Sequence, residues 1–458
     1  MKRLVALTLL LLPLLTSCED SPTAASGAGI LGVESVGTGI FKHLVVTLDH
    51  AATIEVTYWA TGGARLRVTT NEPEIVDTVF LPRLRANTAY TYEVRVAGSM
   101  EGDAVRTGEF VTGTLPPEIA DFQFEATGTP TAPLTMIELM VTSTGASGVI
   151  VVDQAGEIVW YWKASGGFVN GLTRRANGNF VILDQDRGLI EVDPSGTEHN
   201  VLPQLATEAP YGNIHHDVIA TPQNTLYFLA RETRPVSGTS VTGEAIWEWS
   251  PEQDTVRKLW SAFDFLDFNT EQTPASSPSN WLHANSLQIG PRGSLIVSFR
   301  NIDQVISISP DFQSLDWRLS GPGGTLDINE ADRFFGQHSP VEVAPYRVVI
   351  FDNALGGPGG AASSRVIELA IDPSAGRATK VWEFIPDPRN NALRVGSVRR
   401  HTNGNTVAAF GWGQGSPIAV YEVTPEGTVQ WQLISTSGIN RFYRATPLMS
   451  IGTETEMN

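Results

Sequence analysis

Five of the eight histidines fall in short segments that share one layout. His215-His216-Asp217 precedes the turn Ala220-Thr221-Pro222-Gln223-Asn224, and His283-Ala284-Asn285 precedes Gly290-Pro291-Arg292-Gly293. Gln337-His338-Ser339 precedes Ala344-Pro345-Tyr346, and Arg400-His401-Thr402 precedes Asn403-Gly404-Asn405. An apolar strand follows each turn. Imidazole changes charge near neutrality and is the commonest metal ligand, so histidines converging on one cavity could move protons, hold an anion or bind a metal. The metal reading is the weaker one. No His-Glu-x-x-His spacing occurs, and among these five histidines only His216 has an adjacent carboxylate, Asp217. No metal or other cofactor is expected.

Residues so far apart in the chain meet only if the elements carrying them are arranged around an axis. One recurring unit is a strand, an Asp/Ser-Pro type turn and a strand with Trp, as in Val151-Val152-Asp153-Gln154-Ala155-Gly156-Glu157-Ile158-Val159-Trp160 and Val423-Thr424-Pro425-Glu426-Gly427-Thr428-Val429-Gln430-Trp431. Weaker copies lie at Val192-Asp193-Pro194, Trp249-Ser250-Pro251, Ile308-Ser309-Pro310 and Ile371-Asp372-Pro373. The second unit is a turn followed by an apolar strand, such as Asn177-Gly178-Asn179-Phe180-Val181-Ile182-Leu183 or Ser294-Leu295-Ile296-Val297-Ser298. Repeats of roughly 40 to 60 residues, built from short strands without a helical period, indicate a β-propeller of six blades over 118–458. The histidine segments would then line the channel. Arg300 and Asn301, following Leu295–Phe299, are placed at the far end of their hairpin from His283, near a rim. Tyr443 and Arg444 fit the strand that closes the ring. Trp281, Phe334, Phe335 and Trp412 read as core, with an aryl pocket as their alternative use. The glycine-rich stretches Gly321-Pro322-Gly323-Gly324 and Gly356-Gly357-Pro358-Gly359-Gly360 lack a strand–loop–helix setting and read as loops over the channel mouth, not as nucleotide sites.

The first 114 residues read differently. Lys2-Arg3 and the apolar run Leu4–Leu15 form a signal segment over 1–17, too short to span a bilayer comfortably. Leu15-Thr16-Ser17-Cys18 resembles a lipobox, with Cys18 the lipidated first residue of an exported protein held at a bacterial membrane, periplasmic or at the cell surface. Cys18 is the one cysteine, which rules out an intramolecular disulfide. Residues 18–29 form a tether. Alternation in Ile54, Val56 and Tyr58, and the stretch Leu81–Val96 with Tyr90 and Tyr92, indicate a fibronectin type III-like sandwich over 30–114. The expected fold is all-β. A net charge of −18 argues against nucleic acid as a partner.

The segments Asn213-Ile214-His215-His216-Asp217, Trp281-Leu282-His283-Ala284-Asn285-Ser286, Ser298-Phe299-Arg300-Asn301 and Gly336-Gln337-His338 resemble, in that order, the active-site segments of bacterial arylsulfate sulfotransferases. Asp153–Trp162 is similar to that family's opening strand pair. The resemblance implies transfer of a sulfuryl group from an aryl sulfate to a phenol, without a nucleotide donor. It implies that His338 is the nucleophile, becoming transiently sulfated. It implies that His215 or His216, His283, Asn285 and Arg300 hold the sulfuryl and phenolic oxygens; His401 is added as a substrate contact from its repeat position. A neutral imidazole can attack sulfur without a separate base, and histidine's ordinary pKa suits proton transfer to and from the phenol. The absence of disulfide cysteines and the compact blades depart from some relatives, so acceptor preference is not carried over. The competing reading is a propeller that binds a cell-surface ligand, without catalysis or with a metal.

Overall fold

The computed structural model describes residues 28–98, 105–140, 145–204, 209–356, 363–412, 417–437 and 441–457. The signal segment, Cys18 and nearly all of the tether lie outside the described residues. The longest helix among the described residues is a single turn, Pro117–Ala120, and none is long and apolar enough to cross a membrane. The fold is all-β, as the period-two patterning indicates.

Two sheets form the N-terminal part. Ile30–Thr38, Phe41–Ala52 and Glu74–Leu81 pair in one, while Arg65–Thr69, Ile54–Ala60, Ala89–Val96 and Arg106–Val111 pair in the other. Alternate residues of both, including Leu44, Val46, Val56, Tyr58, Tyr92 and Val94, face each other as one apolar core. The Tyr90 hydroxyl accepts the Arg85 backbone N–H at 2.9 Å, pinning the loop that enters its strand. One difference from expectation is topological. The last strand, Thr455–Met457, was assigned to the second domain but pairs with Arg65–Thr69 of the first. Short and polar, it has no buried face of its own and gains its hydrogen bonds on that open edge.

Among the described residues the rest of the chain forms six sheets of four or five strands, in a propeller-like succession, antiparallel except where Asp327–Ile328 pairs parallel with Arg377–Phe384. Their strands read as near-continuous apolar runs, such as Gly148–Asp153, Leu295–Phe299 and Gln304–Ile308, because neighbouring sheets cover both faces. The inner strands Val169–Arg174, Ile214–Ala220, Ala284–Ile289, His338–Ala344, Ser397–Arg400 and Phe442–Leu448 contact one another in sequence around an axis. The ring closes when Phe442–Leu448, from the C-terminus, pairs with Leu134–Leu139 near the start of this region.

Candidate active site

At one end of the inner strands the pairing is irregular. Register shifts occur between Ile214 and Val218, Ala284 and Ser286, and His338 and Val341. His216 (φ 61°), His283 (φ 54°) and Ser339 (φ 51°) adopt left-handed backbone conformations that residues with a side chain seldom take. A bulge combined with a left-handed residue breaks the strict alternation of a strand and re-aims side chains. The histidines thus point to the axis without occupying identical positions. Counted back from the first rung after each shift, Val218, Ser286 and Val341, they lie two, three and three residues ahead. The result is a cavity of about 420 Å³ lined by His216, His283, Arg300, His338 and Tyr443.

Each imidazole has a distinct hydrogen-bonding frame. His338 Nδ1 lies 2.7 Å from Asn353 Oδ1 and 3.1 Å from the Gly336 carbonyl. Both partners accept, so Nδ1 carries the proton and Nε2 presents a lone pair. Asn353 cannot turn over, because its Nδ2 donates to the carbonyls of Ala392 (2.5 Å) and Val395 (2.8 Å). Behind the cavity, Glu244 Oε2 is 2.7 Å from His215 Nε2, and His215 Nδ1 is 2.8 Å from His216 Nδ1. A carboxylate can only accept, so His215 Nε2 donates to it. Neutral His215 then accepts from His216 Nδ1–H, which leaves His216 Nε2 as an acceptor for the cavity. His283 is framed the opposite way. Arg231 Nη1 donates to Asn280 Oδ1 at 3.1 Å, and His283 Nδ1 lies 3.0 Å from Asn280 Nδ2 and 3.3 Å from its Oδ1; the shorter contact makes Asn280 Nδ2 the donor, so His283 presents Nε2–H. One lone pair suited to attack, one suited to accept a proton and one N–H suited to hold an oxygen therefore meet in a single cup.

Electrostatics hold the rings of His338, His283 and His216 neutral. Burial, then the charge of Arg300, lowers His338 to about 3. The same two causes lower His283 to about 2, and burial with the neighbouring histidines carries His216 well below its ordinary value. The ordinary histidine pKa expected from sequence is therefore not what the site provides. An anion in the cup would oppose this effect and favour imidazolium. Arg300 itself is lowered by burial and by Arg394, and its Nη1 donates to Asn301 Oδ1 at 3.0 Å. Among the described residues no three His, Cys, Asp or Glu side chains are grouped to hold a metal ion.

A model of the family described as arylsulfotransferase (ASST) matches residues 125–424. The chain belongs to the arylsulfotransferase family. No curated protein matches it significantly. Among solved structures it is similar to a Bacteroides caccae protein of unknown function, at 13% identity over 69% of this chain and 99% of that one, TM-score 0.45. It is also similar to a catalytically inactive virginiamycin B lyase from Staphylococcus aureus with quinupristin (11% identity, 67% and 87% covered, TM-score 0.38). A third is an auxiliary nutrient binding protein from Bacteroides ovatus (11%, 87% and 86%, 0.38). Likenesses this distant say nothing of activity.

The cup of this arylsulfotransferase family member gathers His216, His283, His338 and Arg300 but not every residue singled out in the sequence. His215 is buried behind His216 and does not line the cavity. Asn285 is fully buried; its Nδ2 donates to the Gln337 carbonyl at 2.8 Å, which ties two inner strands together beneath the cup. His401 lies at the opposite end of its strand, where its N–H closes a turn onto the Asn405 carbonyl and its Nε2 is 3.8 Å from Glu422. It occupies the turn position held by Thr221 and Gly290 in their hairpins, so it belongs to the far rim. Arg300, expected at the far end from His283, is beside it: the Arg300 N–H bonds the His283 carbonyl at 3.2 Å. In an antiparallel hairpin the end of the second strand returns to the start of the first. Trp281 and Phe334 are core, and Trp412 lines the cavity. The loop at Gly321–Gly324 is fastened to its own sheet, the Pro322 carbonyl accepting from Gln304 and Arg318, and does not line the cavity. Residues 357–362 of the other glycine-rich stretch lie outside the described residues.

Sequence reasoning missed Glu244, Arg231, Asn280, Asn353 and Gln185. A signal existed for some of them. Gln185, Arg231 and Arg300 each follow by five residues the first residue of a second strand, Phe180, Leu226 and Leu295. Counting from those strands would have placed all three at the cup's end.

Proposed function

We propose that the protein transfers a sulfuryl group from a phenolic sulfate ester to a phenolic acceptor by way of a sulfohistidine at His338. The observation that carries the reading is the frame around His338: Asn353 Oδ1 and the Gly336 carbonyl hold Nδ1–H, so the Nε2 lone pair faces the cavity that Arg300 also lines. In the first half-reaction His338 Nε2 bonds to sulfur as the bond from sulfur to the aryl oxygen breaks, and the phenolate departs. Arg300 and His283 Nε2–H stabilise the sulfuryl oxygens, as positioned donors do in related group transfers. The positive charge that Nδ1–H then shares is held by Asn353 Oδ1. In the second half-reaction His216 Nε2 takes the acceptor's proton, the phenolic oxygen bonds to sulfur and the N–S bond breaks. The His216–His215–Glu244 chain holds that proton for the next departing phenolate. No step uses a nucleotide donor or a metal.

The six meanders are read as the blades of a six-bladed propeller, and the N-terminal sheets as a fibronectin type III-like module. Residues 1–17 are read as an export signal that leaves Cys18 lipidated and the enzyme held at a membrane. The test uses 4-nitrophenyl sulfate with and without added phenol. Acceptor-dependent colour release, chelator-insensitive and lost in His338→Asn, is expected, together with an SO3 adduct on the peptide containing His338 in the wild type. Near-wild-type turnover in His338→Asn would overturn the mechanism. Absence of turnover with any aryl sulfate would leave a binding propeller.

A further inference from the structure

The cavity holds more positive charge than one sulfuryl group requires. Arg300 lies deep, and Arg394 and Arg441 flank Trp412 at the mouth, their guanidinium carbons 5.4 and 5.0 Å from the indole centroid. Several other arginines of this region meet carboxylates: Arg175 with Glu191, Arg292 with Glu342, Arg365 with Asp352 and Arg444 with Asp217. Arg394 and Arg441 have no carboxylate partner among the described residues. The sequence beside them at 413–416 and 438–440 contains no acidic side chain. In a chain of net charge −18, unpaired guanidiniums gathered in one cavity are a local reversal of sign.

A monoanionic aryl sulfate would satisfy Arg300 and leave two like charges beside one indole. An aromatic ring that packs beside Trp412 and carries its own anion would satisfy both. We propose that Arg394, Trp412 and Arg441 form a clamp for a second anionic group on the aromatic substrate, so that the preferred ligands are carboxylated phenols and their sulfate esters. This rests on the sulfotransfer reading and names its substrate class.

The experiment measures kcat/KM for phenol and for 4-hydroxybenzoate as acceptors with 4-nitrophenyl sulfate as donor, in the wild type and in Arg394→Gln/Arg441→Gln. The wild type is expected to favour the carboxylated acceptor, and the double variant to reduce that preference about tenfold, the scale of one charge-assisted hydrogen bond. Equal use of both acceptors by the wild type, or an unchanged ratio in the variant, would overturn the clamp while leaving sulfotransfer intact. If neither acceptor is sulfated, the sulfotransfer reading fails, and calorimetry with 4-sulfobenzoate then decides the clamp alone. Binding about tenfold weaker in the double variant supports it, and equal binding overturns it.

Discussion

Glu244 touches no part of the cavity, yet its replacement by Gln should separate the two proposed half-reactions. Its Oε2 accepts from His215 Nε2 at 2.7 Å while its Oε1 accepts the Ala284 N–H at 3.1 Å. A glutamine of the same shape must keep its oxygen on Ala284 and turn its NH2 toward His215. That amide donates where the carboxylate accepted. His215 is then forced to carry its proton on Nδ1, which donates to His216 Nδ1, and His216 shows the cavity an N–H instead of a lone pair. The acceptor phenol loses its base. General-base assistance is worth about a hundred- to ten-thousand-fold. Acceptor-dependent turnover should fall about a thousandfold in Glu244→Gln. The burst of 4-nitrophenolate in a rapid-mixing experiment should persist, because that leaving group departs without a proton. The melting temperature should change little, since both contacts of residue 244 survive. A burst and a steady state that fall together, or steady-state turnover within threefold of wild type, would refute the tautomer argument.

Four further outcomes follow from the same geometry. Asn353→Leu leaves His338 Nδ1 with the Gly336 carbonyl alone and strips the Ala392 and Val395 carbonyls of a donor. Each buried group left unpaired costs about 1–3 kcal/mol, so kcat should fall at least tenfold with KM nearly unchanged, and the melting temperature should drop. With His338 held near 3 and His283 near 2, the acid limb of kcat/KM should lie below the ordinary imidazole range, and a limb centred near 6.5 would contradict the burial argument. These depressed values make the unfolded chain bind more protons than the native one below about pH 6.5. Stability is therefore retained above that pH and lost as it falls toward 3, and a His216→Gln variant should show a shallower decline in melting temperature between pH 6.5 and 4. Arg444→Met leaves the buried Asp217 carboxylate unpaired, which typically costs about 3–5 kcal/mol, readable from chemical denaturation.

The strands were legible because their chemistry is local: apolar runs bounded by Asp-Pro and Asn-Gly turns recur wherever a sheet forms. The histidine segments were legible because three of them open inner strands. What sequence could not supply was the phase within each strand. Bulges and left-handed residues at His216 and His283 shift the side chains by one or two positions, and a matched repeat pattern ignores such shifts. The same blindness admitted His401, whose segment resembles the others while its ring sits at the opposite rim. Partners such as Asn353 and Glu244 carry no motif at all. They matter only through the atom they turn toward an imidazole, and that is a property of the folded neighbourhood.

That neighbourhood depends on the closing strand. Arg444 Nη1 meets Asp217 Oδ1 at 2.6 Å, its Nη2 donates to the Asn285 carbonyl at 2.9 Å, and the Tyr443 hydroxyl reaches the same carbonyl at 3.0 Å. Asp217 Oδ2 in turn accepts the Leu287 N–H at 2.7 Å. The residue after His216, the strand after His283 and the strand made last are thereby bound into one buried block under the cup. A buried ion pair is poor evidence for stability, because replacing both charges by apolar groups is often neutral or better. It does demand one geometry, which an apolar contact would not. Group transfer loses rate steeply when the reacting atoms are displaced by an ångström, and the imidazoles come from separate sheets that meet at this axis. The charges on the axis thus serve register more than stability: they let ring closure, completed by the C-terminus, fix the distance between the proposed nucleophile of one sheet and the proposed base of another.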